Sequence, residues 1–178
     1  MTFDPGRHEY REGEEIISSV TQILVAAGVV DDRWYTEESR ERGSAVHQLC
    51  ERYALGERIS STGYNLESYE YINAFSAWMR DKQVSAIKTE AVIYGEVLGR
   101  RYAGKYDLLA DIGGRRILVD FKTGGKAKWH HIQIAAYALQ VNPDGAALLY
   151  LKPNGKYKYD YLTGPELLEG IRKFKEYI

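Results

Sequence analysis

The stretch Tyr102–Gly125, YAGKYDLLADIGGRRILVDFKTGG, decides how this chain folds. Two runs rich in Leu, Ile, Val, Tyr and Phe flank its Gly113-Gly114 pair. Glycine readily adopts positive φ, so this pattern predicts a β-hairpin with a two-residue turn. With the two glycines at the centre of the turn, Asp107 on the first strand directly faces Asp120 on the second.

The facing aspartates point to a metal site. Directly opposed side chains have Cβ atoms roughly 5 Å apart, where two carboxylates repel by about 3 kcal/mol at an effective dielectric near 20. A divalent cation between them reverses the sign of that interaction. Lys122 follows Asp120 on the same face, where it can orient water or meet developing negative charge. The alternative is two solvated aspartates and a surface lysine at the rim of a sheet. The intervening side chains are expected to anchor the strand in a core: Ile117, Val119 and Phe121.

Length and composition predict one soluble domain. The chain has 178 residues, of which 44% are hydrophobic and 28% charged. Neither an apolar run long enough for a membrane span nor a signal peptide is recognisable, so we expect a cytoplasmic protein of a bacterium or a phage-infected cell. Cys50 is the only cysteine, which excludes an internal disulfide and a cysteine-built zinc or iron–sulfur site.

The net charge of −1 argues against a high-affinity, non-enzymatic DNA-binding domain, which is usually strongly basic. It argues less against a nuclease, because a nuclease concentrates acids at its metal site and keeps its basic residues local. Many of the 15 tyrosines are expected in the core or the sheet, and others are candidates to stack on bases.

The order of predicted elements is helices, three strands, a helix, two strands and a helix, which indicates a mixed sheet flanked by helices. Residues 1–17 are an extended lead-in with a possible edge hairpin, and a serine caps a short helix that ends near Gly28. A helix capped by Asp31 or Asp32 ends at Gly43, and Ser44 caps the next. The remaining predicted helices cover Glu67–Gln83, Lys128–Val141 and the residues from Gly164; the strands cover Val84–Tyr94, the hairpin, Ala146–Lys152 and Lys156–Leu162.

Four further residues are candidates for the site. Glu90, on the strand before the hairpin, is either a third carboxylate of the site or an exposed strand residue. His47, on a predicted helix, is either a nitrogen ligand that admits Mn²⁺ as well as Mg²⁺ or an ordinary helical histidine. Gln133 and Tyr137 lie four apart on one helix face, where they offer an amide and a phenol to a phosphate or base.

Basic residues precede and open the same helix. They are either a solvated basic segment or a patch that grips phosphate beside the helix N-terminus. The residues concerned are Lys126, Lys128, His130 and His131.

Together these motifs resemble the PD-(D/E)XK nuclease superfamily, and within it the RecB-like exonuclease branch. The matching pieces occur in the family's order: Gly43-x-x-x-His47, Glu90 on a strand, Gly104-x-x-Asp107, Asp120-Phe-Lys122-Thr123 and Gln133-x-x-x-Tyr137. The segment SSVTQIL, residues 18–24, is similar to the openings of small phage and mitochondrial genome-maintenance exonucleases. The family's literal Pro-Asp is absent, because Tyr106 precedes Asp107.

The resemblance implies a restriction-endonuclease-like fold, an αβββαβ core with extra N-terminal helices, and Mg²⁺-dependent phosphodiester hydrolysis, with Mn²⁺ as a substitute. In RecB-like relatives the helices before the sheet shape a passage for single-stranded DNA. Here that places the helical part, residues 31–83, over the site. The sheet core with its helix covers residues 84–162 and a C-terminal helix covers 164–178, in one domain spanning 1–178. Some relatives carry an iron–sulfur cluster, which a chain with a single cysteine cannot hold.

The resemblance also assigns roles by position. The metal ligands are His47, Asp107, Asp120 and the Phe121 carbonyl. Lys122 positions the attacking water, Glu90 assists the metal shell, and Gln133 and Tyr137 steady the substrate or the lysine. We therefore predict a DNA exonuclease acting on single strands or DNA ends in repair, recombination or phage replication. The alternatives are a structure-specific endonuclease or junction resolvase, and a DNA-binding or assembly module without catalysis.

Overall fold

The structure, a computed structural model, describes residues 2–4, 6–7, 9–30, 36–60 and 66–178. Three short strands open the chain: β1 Thr2–Asp4, β2 Glu9–Glu12 and β3 Glu15–Ile17. Three helices follow: α1 Val20–Ala26, α2 Glu37–Ala54 and α3 Leu66–Asp81. The remaining elements are β4 Ser85–Val97, β5 Arg100–Ile112, β6 Arg115–Lys122, α4 Trp129–Val141, β7 Gly145–Leu151, β8 Tyr157–Leu162 and α5 Gly164–Tyr177.

A five-stranded mixed sheet in the order β4-β5-β6-β7-β8 forms the centre of the molecule. Strands β6 and β7 are parallel and joined through α4, whereas the other neighbours are antiparallel. One core lies on the face covered by α1, α4 and α5, and a second lies on the face covered by α2 and α3. The predicted restriction-endonuclease-like class is confirmed, with α3-β4-β5-β6-α4-β7 as its αβββαβ core. Within the described residues, no helix is long and apolar enough to cross a membrane.

The predicted hairpin is confirmed in turn and in register. Gly113 and Gly114 have φ of 64° and 76°, as a two-residue turn with positive φ requires. The strands pair Ile112 with Arg115 and continue in that register to Leu108 and Val119. The predicted burial of the alternate β6 residues is confirmed as well, because the core between the sheet and α2 contains Ile117, Val119 and Phe121.

The predicted helix break at Gly43 is wrong. Helix α2 runs without interruption through Gly43 and Ser44, so Ser44 is not a cap. The cap is Thr36, whose side chain accepts a hydrogen bond from the Ser39 backbone N–H at 3.1 Å. The caps predicted at residues 31 and 32 lie outside the described residues. An interior glycine costs a helix only about 1 kcal/mol, which the buried α2 side chains offset: Val46, Leu49 and Cys50.

The N-terminal segment forms more structure than the predicted lead-in. Strands β1–β3 make a small antiparallel sheet, and α1 starts from a capping box at Ser19, as its serine-rich opening predicts. The Ser18 carbonyl accepts a hydrogen bond from the Ala103 N–H at 3.0 Å, and Val20 and Leu24 are completely buried. These contacts fix α1 against β5 and α4, beside the carboxyl end of β6.

Candidate active site

Seven of the predicted site residues meet in one cleft of about 1070 Å³. Helix α2 forms one wall, the first sheet and α1 form the other, and β4, β5, β6 and α4 form the floor. The seven residues are His47, Glu90, Asp107, Asp120, Lys122, Gln133 and Tyr137. The hairpin brings the two aspartates and the lysine together, and α2 lies across them.

Asp107 forms an ion pair with His47 at the bottom of the cleft. The Asp107 Oδ1 lies 3.1 Å from the His47 Nδ1, and its Oδ2 accepts the Phe121 backbone N–H at 2.5 Å. Burial raises the pKa of Asp107 more than any other single influence. The charge and hydrogen bond of His47, together with Lys122 and the Phe121 N–H, outweigh burial and hold the pKa below its usual value. Burial in turn lowers the pKa of His47, yet Asp107 and Glu90 reverse this and raise it to about 9. In this state the imidazole is therefore protonated.

Glu90 reaches the same point from a strained position on β4. Its neighbours Thr89 and Ala91 pair with Leu108 and Tyr106, so Glu90 stands opposite Asp107. Its φ of 46° is unusual for a non-glycine residue and costs on the order of 1–3 kcal/mol. One carboxylate oxygen of Glu90 pairs with the Lys105 ammonium, and the other is buried without a hydrogen-bond partner among the described residues. Burial, reinforced by Asp107, raises the pKa of Glu90.

Asp120 and Lys122 form the other half of the site. The Asp120 Oδ2 lies 2.6 Å from the Lys122 Nζ, as an ion pair whose angles are not those of a hydrogen bond. Burial, with a further contribution from Asp107, raises the pKa of Asp120 to about 6 against the opposing effect of Lys122. The Lys122 ammonium also donates to the Gln133 Oε1 at 2.7 Å and lies 5.2 Å from the centre of the Trp129 ring.

The predicted basic patch does not join this cleft. Lys126 and Lys128 line a separate cavity of about 540 Å³ between α4, β8 and α5, where Lys126 pairs with Asp160. His130 is buried, with its Nδ1 3.1 Å from the Tyr150 hydroxyl. Burial, aided by the charge of Lys122, lowers the pKa of His130 to about 3, so its ring is neutral.

Phe121 reaches the site through its backbone. Its ring lies in the core, 5.0 Å from the ring of Phe75, while its N–H binds Asp107. A metal contact of the Phe121 carbonyl stays a prediction.

A model of the PD-(D/E)XK nuclease superfamily matches residues 63–173, more than half of the chain. The chain belongs to that superfamily. The match contains β4–β8 with α3 and α4, whereas α1 and α2 precede it. Thus His47 comes from an element outside the matched residues.

Solved structures agree with the fold. A presumed exonuclease from Eubacterium rectale is 15% identical with a TM-score of 0.63, and the match covers 99% of this chain and 84% of that one. At this identity the likeness shows the fold alone. LHK-Exo in complex with dAMP (12% identity, TM-score 0.45, covering 90% and 85%) and SSO0001 (12% identity, TM-score 0.37, covering 74% and 84%) are too distant to carry an argument. No curated protein matches the sequence.

PD-(D/E)XK nucleases use divalent metals, and the donor set of this chain fits one. The ligand atoms of His47, Glu90 and Asp107 all lie within 4.8 Å of one another. Ligands about 2.1 Å from one ion lie at most about 4.2 Å apart, so small side-chain movements and loss of the His47 proton suffice to surround a cation. The orphaned Glu90 oxygen supplies a free donor, and one imidazole with two carboxylates suits Mg²⁺ or Mn²⁺.

Three residues of the site were not anticipated from the sequence. Lys105 lies two positions before Asp107 on the same strand, so the strand period of two was a usable signal. Trp129 and Thr21 contact the lysine and glutamine of the site through tertiary packing, which no local pattern encodes.

Proposed function

We propose that this PD-(D/E)XK protein is a metal-dependent DNA exonuclease that acts on single strands or DNA ends. The observation that carries the proposal is the arrangement of His47, Glu90 and Asp107 beside the Asp120–Lys122 pair in one cleft. Mg²⁺ is the cation we expect, with Mn²⁺ as a substitute. Repair, recombination and phage replication, in the cytoplasm of a bacterium or infected cell, are the processes in which such an activity serves.

Different residues of the cleft have different roles in hydrolysis. His47, Glu90 and Asp107 would hold a cation, which would supply Lewis-acid chemistry that offsets charge on the scissile phosphate. Lys122 orients the attacking water and meets the negative charge that develops on the phosphate oxygens. Attack is in line on phosphorus, and the 3′ oxygen leaves.

Preorganisation supports this role for Lys122. Its ammonium is fixed by the Asp120 carboxylate, the Gln133 amide oxygen and the face of Trp129, so little reorganisation is needed during reaction. Tyr137 and Gln133 complete the floor, where we expect them to steady the substrate or the lysine.

The shape of the cleft supports a preference for strands with free ends. Helix α2 lines one wall and presents the exposed polar residues Arg40, Ser44 and Gln48, which recur at helical spacing. The opposite wall comes from the first sheet and α1. A cleft with a wall on each side suits a threaded single strand better than an uninterrupted duplex.

The test is digestion of end-labelled linear single-stranded, linear duplex and circular single-stranded DNA with Mg²⁺, Mn²⁺ or EDTA. We expect release of short products from linear DNA with either cation, none with EDTA, and intact circles. Cleavage of circles would instead establish an endonuclease or junction resolvase, and binding without cleavage a non-catalytic module. Asp120→Asn, purified identically, is expected to be inactive; full activity in this variant would refute the site.

A further inference from the structure

The structure assigns a function to α1, which precedes the matched family residues: we propose that Thr21 is a positioning residue for the nuclease reaction. Its hydroxyl holds the side-chain amide of Gln133 in the orientation that receives the Lys122 ammonium. The catalytic part of this inference rests on the proposed function, whereas its structural part is measurable without any activity.

A continuous chain of contacts joins Thr21 to Lys122. The Gln133 Nε2 donates to the Thr21 Oγ1 at 3.0 Å, and the Gln133 Oε1 accepts from the Lys122 Nζ at 2.7 Å. Gln133 is buried, and all three residues line the cleft. The chain therefore connects α1, α4 and β6 within the site.

The donor and acceptor ends of the Gln133 amide fix the direction of these hydrogen bonds. An ammonium only donates hydrogen bonds, so the amide oxygen must face Lys122 and the NH₂ group must face away. The NH₂ group then needs two acceptors. The Thr21 hydroxyl is one of them, 3.0 Å from the Gln133 Nε2. The amide oxygen is thus bound to Lys122 and the NH₂ group to Thr21, which fixes the orientation of the amide.

Helix α1 holds Thr21 rigidly. The capping box at Ser19 closes the first turn, with the Ser19 N–H donating to the Gln22 side chain at 2.8 Å and the Gln22 N–H donating to the Ser19 hydroxyl at 3.2 Å. Buried Val20 and Leu24 anchor the helix on either side of Thr21. Such anchoring suits a residue whose function is to fix another side chain.

Loss of the Thr21 hydroxyl leaves one buried N–H of Gln133 without its acceptor. A buried donor without a partner is unfavourable, so the amide turns toward water in the cleft. Lys122 then loses its neutral acceptor and is drawn toward the Asp120 carboxylate alone. The ammonium moves away from the position that we propose for its contact with water and phosphate.

The first test compares Thr21→Val, which keeps the shape but removes the hydroxyl, with Thr21→Ser, which keeps the hydroxyl. We expect kcat to fall about five- to tenfold in Thr21→Val, the effect of one lost hydrogen bond, with KM within about twofold. Thr21→Ser should restore most of kcat. Val25→Ala, on the exposed side of α1, is the control for helix stability. Equal kcat in Thr21→Val and wild type, or no recovery in Thr21→Ser, would overturn the inference.

A double-mutant cycle tests whether Thr21 acts through Gln133. In a Gln133→Leu background, Thr21→Val should have less than about a twofold further effect, because the group that it positions is gone. Independent, multiplicative effects would mean that Thr21 acts on substrate or fold directly, and the inference would fail.

A readout without activity separates this inference from the proposed function. In NMR spectra, the Gln133 side-chain amide, assigned by its absence in Gln133→Leu, should exchange with solvent at least about tenfold faster in Thr21→Val than in wild type or Thr21→Ser. Thr21→Ala gives the same comparison if the valine variant does not fold. Unchanged exchange overturns the inference, whereas changed exchange in a wild-type protein without nuclease activity overturns only the proposed function.

Discussion

Asp107 and Asp120 lie on neighbouring strands of one hairpin, yet they have different partners. Asp107 meets the His47 ring, with Glu90 close by, and its pKa is held below the usual value. Asp120 meets the Lys122 ammonium, and burial raises its pKa to about 6. One turn therefore presents two chemically distinct carboxylates.

The difference divides the site into two halves, to which we assign separate tasks. The first half, His47, Glu90 and Asp107, offers three ligand atoms within 4.8 Å and an unsatisfied carboxylate oxygen, so it has vacant capacity for a cation. The second half pairs Asp120 with the Lys122 ammonium, whereas the positive charge of the first half is the proton on His47, which must leave when the imidazole binds a cation. Cation binding and the positioning of the reacting groups should therefore respond to different substitutions.

Lys122→Met should have the largest effect, because it removes the ammonium and keeps most of the side-chain volume. We expect kcat to fall about 10²- to 10³-fold, the usual consequence of losing a group that stabilises charge in a transition state. Steady-state kinetics on a linear single strand measures the change. Lys82→Met, a lysine that does not line the cleft, is the matched control. A loss of less than about tenfold in Lys122→Met would remove Lys122 from the reaction.

Cation affinity should separate the two halves next. Glu90→Gln is expected to weaken Mn²⁺ binding about 10- to 100-fold, since a charged ligand becomes a neutral one, while Lys122→Met should bind Mn²⁺ at least as well as wild type. Isothermal titration calorimetry without DNA measures both. The rise in Tm with added Mn²⁺ gives an independent reading, because a ligand that binds only the folded state stabilises it. Equal Mn²⁺ affinity in Glu90→Gln and wild type would mean that Glu90 is not a ligand of the cation.

The backbone of Glu90 predicts a smaller effect of opposite sign on stability. Glu90→Gly should raise the free energy of unfolding without cation by about 1 kcal/mol, because glycine adopts a φ of 46° without strain and a buried carboxylate is removed. Glu96→Gly is the control, at a strand position paired with Arg101 whose φ is not positive. It should lower stability by about 0.5–1 kcal/mol. Urea unfolding of both variants measures the difference, and destabilisation by Glu90→Gly would show that strain is not stored there.

The three site residues on the β5–β6 hairpin could be predicted from the sequence because the geometry of a hairpin is local. Two glycines fix a turn, the turn fixes the register, and the register brings Asp107 near Asp120 with Lys122 on the same face. The apolar residues that alternate with Asp120 and Lys122 on β6 likewise indicate which face of the strand is buried. A segment of about twenty residues was enough to predict the turn, the register and the buried face.

The remaining contacts depend on packing that no short pattern specifies. Gly43 predicted a helix end, yet α2 continues because its buried face offsets the glycine. Glu90 was a candidate, but its positive φ is not a glutamate preference and could not be foreseen. Thr21 lies 112 residues from Gln133 in sequence, and only the docking of α1 brings them together. The basic patch was predicted by proximity in sequence, whereas α4 turns it toward another cavity.

That second cavity supplies the smallest and last prediction. Lys128 is exposed at the second cavity and does not line the cleft that holds Lys122, so we expect it to contact the flanking part of a DNA strand rather than the reacting phosphate. Lys128→Ala should leave kcat within about twofold and reduce the salt slope of DNA binding by about one, the signature of one lost phosphate contact. Fluorescence anisotropy of a labelled single strand at several salt concentrations, in EDTA to prevent cleavage, measures the slope. Glu169→Gln, at the same cavity, is the matched control and should not reduce the slope. An unchanged slope in Lys128→Ala would mean that DNA binds in the cleft without contacting Lys128. A large fall in kcat would mean that the start of α4 takes part in the reaction.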